Sequence, residues 1–245
     1  MFQLLFLFLG FFMMFVLISK IFAKQKLRDR SFPVLNFSEV RSYENYNRHA
    51  NEHREMNLTH WSFEKNLIPD ACAEFTFNGY CYACRAHVDF SIDFEFSREF
   101  DGVSMPNWRE TLVCPGCHLN NRMRAVVHIF DRECRPNQGS RIYITEQTSD
   151  LYKWFKKLFS YVRGSEYLGD AVGCGSYNNQ GIRNEDLTRL SFDNDEFDYV
   201  LSFDVFEHIP HYKKALAECW RCLKPGGILY FSVPFVKTAE KNIVR

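Results

Sequence analysis

Residues 181–235 read GIRNEDLTRLSFDNDEFDYVLSFDVFEHIPHYKKALAECWRCLKPGGILYFSVPF. Their pattern is strand, turn, strand, helix, turn, strand. Phe197 to Phe203 (Phe-Asp-Tyr-Val-Leu-Ser-Phe) is a short apolar run, suited to a strand buried on both faces. From His211 to Leu223, apolar residues recur at Ala215, Leu216, Cys219, Trp220 and Leu223, the period of a helix. Lys224-Pro-Gly-Gly227 then predicts a helix stop, because proline cannot continue a helix and glycine readily turns away from one. Ile228 to Val233 is a second apolar run. Strands separated by a crossover helix imply a parallel sheet with right-handed connections, so the expected fold class is α/β.

The polar residues in this stretch fall in a specific order. Asp186-Leu187, Leu190 and Phe192 precede Phe197-Asp198, then Asp204, Glu207-His208, and Leu223 to Gly227. This order resembles the later half of the class I S-adenosylmethionine-dependent methyltransferases, in particular the type 11 branch. The resemblance covers about 105 residues, from Arg141 to the end of the chain. It implies a Rossmann-like, mostly parallel sheet and S-adenosylmethionine as cofactor.

In that family a first strand ends in an acidic residue and a glycine-rich turn. Arg141 to Glu146 fits the strand, 40 residues before Asp186. Gln147-Thr-Ser149 follows, then a helical pattern from Asp150 to Val162. No Gly-x-Gly follows Glu146. Val172-Gly-Cys-Gly-Ser176 looks like the missing turn but stands only nine residues before Glu185, too close for the elements that should intervene. Gly164 to Leu168 is read as the second strand, which places Glu166 or Asp170 at the family's ribose-binding acid. The resemblance implies that Glu146, Glu166 or Asp170, and Asp186 bind the cofactor, with Asp186 on the adenine amine. It further implies that Asp204, Glu207 and His208 line the reactive side as the catalytic residues, since ligands of open α/β sheets bind at the carboxyl ends of strands. A histidine there can serve as a base near neutral pH or simply brace the loop.

Two cysteine pairs, Cys81-Tyr-Ala-Cys84 and Cys114-Pro-Gly-Cys117, are separated by 29 residues. Each spacing is a tight turn that aims two thiolates at one point, and two such turns make a closed tetrahedral site for structural Zn2+. Val88 to Phe96 alternates between the pairs with the period of a strand, and Phe75 and Phe77 precede the first pair in the same way. A β zinc ribbon too small to stand on its own core would gain stability from the metal. A redox pair or a disulfide is the competing reading. Beyond the second pair, Asn121 to Phe130 reads as a helix, whose Arg122, Arg124 and His128 either meet an anionic ligand or form a solvated face.

At the head of the chain, Leu4 to Ile18 carries no polar side chain and is followed by Lys20, Lys24, Lys26, Arg28 and Arg30. The run approaches the roughly 17–25 residues that span hydrocarbon. Its charge layout predicts a single-pass signal anchor rather than a cleaved signal peptide, with the C-terminal bulk in the cytosol. The expected organisation is a transmembrane segment over 1–22, a polar stalk over 23–70, a zinc-ribbon-like module over 71–135 and a methyltransferase-like domain over 136–245. In the stalk, His49-Ala-Asn-Glu-His53 matches a metallopeptidase pattern formally, but its flanks are polar all round.

Formal net charge is zero over 245 residues, so nothing global points to nucleic acid, and no nucleic-acid partner is expected. Only 11 residues follow Pro234, too few for the family's last helix and two strands. The expectation is an incomplete enzyme, or a sheet edge covered by a partner or a dimer mate. Two functions follow. One is a membrane-anchored methyltransferase with an unidentified methyl acceptor. The other is a non-catalytic, methyltransferase-like adapter that has lost cofactor binding.

Overall fold

The computed structural model describes residues 42–70, 73–100 and 102–234. The predicted membrane segment lies outside the described residues, among which no helix is long and apolar enough to cross a membrane. The chain divides after Asn66 into two units. In the first, α1 (Tyr43–Glu52) and α2 (Arg54–Asn66) fall within the stretch read as a polar stalk. Ser42 caps α1 by accepting from the Asn45 amide at 3.1 Å. The His49 and His53 rings stack at 4.0 Å, and none of the residues of α1 is buried.

The second unit opens with β1 (Glu74–Cys81) and β2 (Ala86–Asp93), an antiparallel hairpin closed by the first cysteine turn. Phe90 and Ile92 face its small core, while Phe96, expected on the same stripe, lies beyond the strand and is exposed. β3 (Arg98–Phe100) and β4 (Val103–Met105) make a second hairpin. Then come the short α3 (Trp108–Thr111), the second cysteine turn, and α4 (Asn121–Ile129), which continues into a π-helical turn to Cys134.

The main sheet follows from β5 (Arg141–Ile144), α5 (Asp150–Leu158), β6 (Tyr161–Gly164), β7 (Phe197–Phe203), α6 (Tyr212–Cys222) and β8 (Leu223–Ser232). Its four strands run in the order β6-β5-β7-β8, and all pairs are parallel. Alternating side chains of β7 reach both faces, as expected of a strand buried on two sides. Leu201 and Phe203 join Val127, Phe130, Leu151 and Phe155 on the face covered by α4 and α5. Val200 joins Ala215, Cys219 and Cys222 of α6 on the other. The helix that follows the cysteines therefore packs on the sheet, and the ribbon and sheet share a core.

Four expectations are corrected. No strand forms over 181–192; Leu187, Leu190 and Phe192 instead pin an irregular segment against the α6 face of the sheet. The second strand occupies Tyr161–Gly164 rather than 164–168, so Glu166 lies just past its end. Lys224 to Gly227 falls inside β8 as a bulge: Phe197 pairs with Leu223 and Tyr199 with Ile228, and Gly226 takes a positive φ of 79°. Trp220, placed by periodicity on the buried stripe of α6, is 80% exposed. Among the described residues β8 pairs only with β7, and Ile228 and Phe231 on this edge are exposed.

Candidate active site

The chain leaves β5 through α5 to β6 on one side, then returns to β7 on the other. The carboxyl ends of β5 and β7 flank this switch point, where open parallel sheets bind ligands. Glu146 lies just past β5 and Asp204 just past β7.

Glu146 has one carboxylate oxygen, Oε1, that is buried and accepts no hydrogen bond. Burial pushes its carboxyl above the usual range, opposed by a Ser149 hydrogen bond, with Glu166 and Asp204 adding repulsion and Arg122 attraction. Glu146, Glu166, Asp204 and Arg122 are therefore electrostatic neighbours.

Glu166 is committed to the loop after β5. Its Oε1 accepts from the amides of Gln147 at 2.8 Å and Thr148 at 3.0 Å, and from the Thr148 hydroxyl at 2.9 Å. A carboxylate thus holds the turn that follows β5. Gly164 makes the close approach possible: a Cβ there would stand 2.7 Å from the Glu146 carbonyl oxygen.

Glu166 also pairs in a parallel bridge with Asn184, bringing the segment of Glu185 and Asp186 alongside. Glu185 is fully buried, bound by Arg183 at 2.8 Å and the Ser191 hydroxyl at 2.6 Å. Asp186 accepts from the Thr188 amide and hydroxyl, both at 2.8 Å, and meets Arg189 at 3.2 Å. Although desolvation opposes them, these partners hold Asp186 below the usual carboxylate range. Asp170 is exposed and shares Arg189 at 3.1 Å. Gly175, with φ of 80°, packs against Ser191, where a Cβ would come within 2.6 Å of the hydroxyl; the Gly173–Gly175 turn belongs to this segment.

Asp204 sits at a positive φ of 55°. Its Oδ1 accepts from the Ser232 hydroxyl at 2.8 Å, and its Oδ2 meets Arg122 Nη1 at 2.9 Å and Arg109 Nη2 at 3.6 Å. Glu110 Oε1 holds both arginines, at 3.0 Å for Arg122 and 3.2 Å for Arg109. Glu207 and His208 follow in a 3-10 turn, with His208 exposed and 3.9 Å from Glu207. The sequence reading did not anticipate Arg109 and Glu110 at this site. Their only signal was Asn107-Trp-Arg-Glu110 flanking the second cysteine pair, which says nothing of a distant strand end.

The four cysteines converge. Their sulfurs lie within 4.8 Å of one another, with Cys81–Cys117 at 3.8 Å and Cys84–Cys114 at 3.6 Å, and all four are free thiols. A tetrahedron of sulfurs about 2.3 Å from zinc has edges of about 3.8 Å, so the donor set fits that metal. Amides of Cys84 and Gly116 each approach a sulfur at 3.4 Å, as in a tight turn around bound thiolates. The Cys117 hydrogen bond pulls Cys81 down to about 5, whereas burial pushes Cys84 up to about 12. Arg124 is neither solvated nor free for an anion. It is buried, donates to the carbonyls of Leu112 and Leu119 at 2.7 Å each, and lies over the Phe90 ring at 4.3 Å. His128 packs on Tyr82 at 4.3 Å.

Two cavities adjoin these parts. One of about 240 Å³ lies between Glu110, Leu119, Met123 and the start of α5 at Ser149, beside the Glu146 loop. A second of about 260 Å³ lies by Ser140, Asp198 and Lys224, at the opposite end of the strands from Glu146 and Asp204.

The profile of a methyltransferase-domain family matches residues 148–231. No curated protein matches the chain. Similar solved structures include an S-adenosylmethionine-dependent methyltransferase from Mesorhizobium loti, 25% identical over 40% of this chain and 49% of that one, with a TM-score of 0.31. Others are the methyltransferase CalH in complex with SAH (19% identity, 40% and 32% coverage, TM-score 0.31) and the cyclase SpnF (17%, 44% and 43%, TM-score 0.35). The chain spans about half the length of the solved structures it matches, 45% to 54% for four of them. Over residues 148–231, then, the chain is similar to the methyltransferase-domain family.

Proposed function

We propose that this chain is an S-adenosylmethionine-dependent methyltransferase that binds its cofactor at the carboxyl ends of β5 and β7, with structural zinc on Cys81, Cys84, Cys114 and Cys117. The observation that carries the reading is the buried, partnerless carboxylate oxygen of Glu146 at the switch point. Such an oxygen costs free energy unless a donor reaches it, and a cofactor bearing an ammonium and hydroxyls supplies donors.

The bound cofactor would supply an electrophilic methyl on a sulfonium. An acceptor bonding to that methyl would displace the sulfur, which would keep the electron pair of its broken bond to carbon, and an acceptor bearing a proton would have to release it. The chain's share is positioning and exclusion of water. Glu146 would accept from the cofactor, with Glu166 as its electrostatic neighbour. Asp186 would contribute little, because Thr188 and Arg189 already engage its carboxylate. Asp204, held by Ser232 and Arg122, would line the floor of the site, and exposed His208 is the group available to take the acceptor's proton.

The apolar run Leu4 to Ile18 with its trailing Lys and Arg residues supports anchoring to a membrane, with the catalytic unit on the cytosolic side. The sheet edge at β8 supports a partner or a second copy there.

The adapter reading draws on a specific observation: one oxygen of Glu166 and both of Asp204 are committed to internal partners. Calorimetric titration of the purified chain with S-adenosylmethionine and S-adenosylhomocysteine separates the two. Saturable binding of one equivalent supports the enzyme; no heat at millimolar ligand supports the adapter.

A further inference from the structure

We propose that the four-thiolate site governs the carboxyl end of the sheet through Arg122, which the second cysteine turn positions. Arg122 is five residues past Cys117, in the first turn of α4. The segment between them is fixed at every step. The Cys114 amide donates to the Leu119 carbonyl at 3.1 Å, and the His118 amide to the Cys114 carbonyl at 2.9 Å. Asn120 caps α4 by accepting from the Met123 amide at 2.9 Å, and donates to Glu110 at 2.8 Å. Buried Arg124 ties the carbonyls on both sides of the turn together. The turn's geometry is thereby passed to the start of α4.

From that base the Arg122 side chain, 21% exposed, reaches Glu110 with Nε and Asp204 with Nη1. Asp204 in turn holds Ser232 through its side chain and, with its amide, the Ser232 carbonyl at 3.0 Å. One guanidinium therefore links the cysteine turn to the ends of both β7 and β8. Arg122 is also the cation nearest in effect to Glu146. The first cysteine turn reaches the sheet unit by another route, through Ala83 to Trp154 of α5 at 3.3 Å, which does not touch the strand ends.

Four thiols do not hold a tetrahedron by themselves; a bound cation does, and its loss lets the turn relax. The arginine then loses its fixed origin, and its two carboxylates keep as a cation only the more exposed Arg109, at 3.2 Å from Glu110 and 3.6 Å from Asp204. Arg122 is thus a positioning residue, and metal and cofactor binding are linked through it. By reciprocity the cofactor must also tighten the metal. The second half of this statement rests on the cofactor reading above; the first half does not.

The test uses the full chain, zinc-loaded, chelator-stripped, and as zinc-loaded Arg122→Ala and Arg122→Lys variants. Hydrogen exchange is followed at amides 145–149 and 204–208. Stripping should raise exchange there at least tenfold. Arg122→Ala should reproduce this while keeping one zinc, and Arg122→Lys should restore part of the protection. S-adenosylhomocysteine should slow zinc loss to a chelator in the parent protein and not in Arg122→Ala. Unchanged exchange at these amides in zinc-loaded Arg122→Ala overturns the proposal, including the case where stripping unfolds the protein outright. Altered exchange with no S-adenosylhomocysteine binding in any form upholds the coupling and removes the cofactor reading alone.

Discussion

A Cβ on Gly164 would stand 2.7 Å from the carbonyl oxygen of Glu146 and 2.5 Å from the Tyr152 ring, so the end of β6 can lie against the loop after β5 only as glycine. Backbone on one side leaves little room to yield. Gly164→Ala should destabilise the sheet unit by about 2 kcal/mol, within the usual cost of overpacking, and should weaken any ligand held at Glu146. Thermal unfolding of the variant within 1 °C of the parent would contradict this.

Glu146 is a buried acid whose carboxyl is raised, above all by desolvation. The folded state then holds its proton where the unfolded state has released it, so stability falls as pH rises through that window. Glu146→Gln should therefore stabilise the protein near pH 7 to 8, by about 1 kcal/mol, and change little near pH 4. Parallel melting curves at the two pH values test the sign. A loss of stability at pH 8 would show that the carboxylate has a charged partner in the fold.

Metal removal should affect more than the hairpins. Tyr82, Ala83 and Cys117 pack against the same core as Phe130, Phe155 and Leu201. Chelation should lower the melting temperature of the sheet and the ribbon together, in one transition, and Cys114→Ser should do the same. Two separated transitions, with the sheet's unchanged, would show that the ribbon folds alone.

Arg124→Met should cost about 2 to 3 kcal/mol, because the half-buried carbonyl of Leu112 and the buried one of Leu119 lose a charged donor. The variant should also bind zinc more weakly, since the turn between those carbonyls carries Cys114 and Cys117. Parent-like zinc affinity in a competition assay would argue against this.

Local chemistry made much of this readable. β7 and α6 show in the period of their apolar residues, and the cysteine spacing anticipates that the four sulfurs converge. Leu187, Leu190 and Phe192 were visible as a pattern, but the pattern reports burial, and here an irregular segment meets it without a strand. Trp220 obeys the helical period and still faces solvent, because α6 lies against the sheet along a narrower stripe. The Lys224–Gly227 stretch carries helix-stop residues, yet a bulge accommodates the same residues within β8. Arg109, Glu110 and Arg122 could not be placed at Asp204, because their partner is some 80 to 95 residues away in sequence and only the packing of α4 on the sheet brings them together. Glu166 and Asp170 are alternative acids on a second strand read over Gly164 to Leu168; the bonding of Glu166 to the Gln147 and Thr148 amides depends on a loop conformation that composition does not encode.

The central claim is that Glu146 marks the cofactor site. Gly175→Val is a poor probe of that location, since its Cβ would meet Ser191 at 2.6 Å and distort the segment regardless of any ligand. The direct measurement is the dissociation constant of S-adenosylhomocysteine for the parent chain and for Glu146→Ala, both zinc-loaded and shown to be folded. The account predicts saturable binding to the parent and at least tenfold weaker binding to the variant, the worth of about one charge-assisted hydrogen bond. Equal affinity in the two proteins would contradict it.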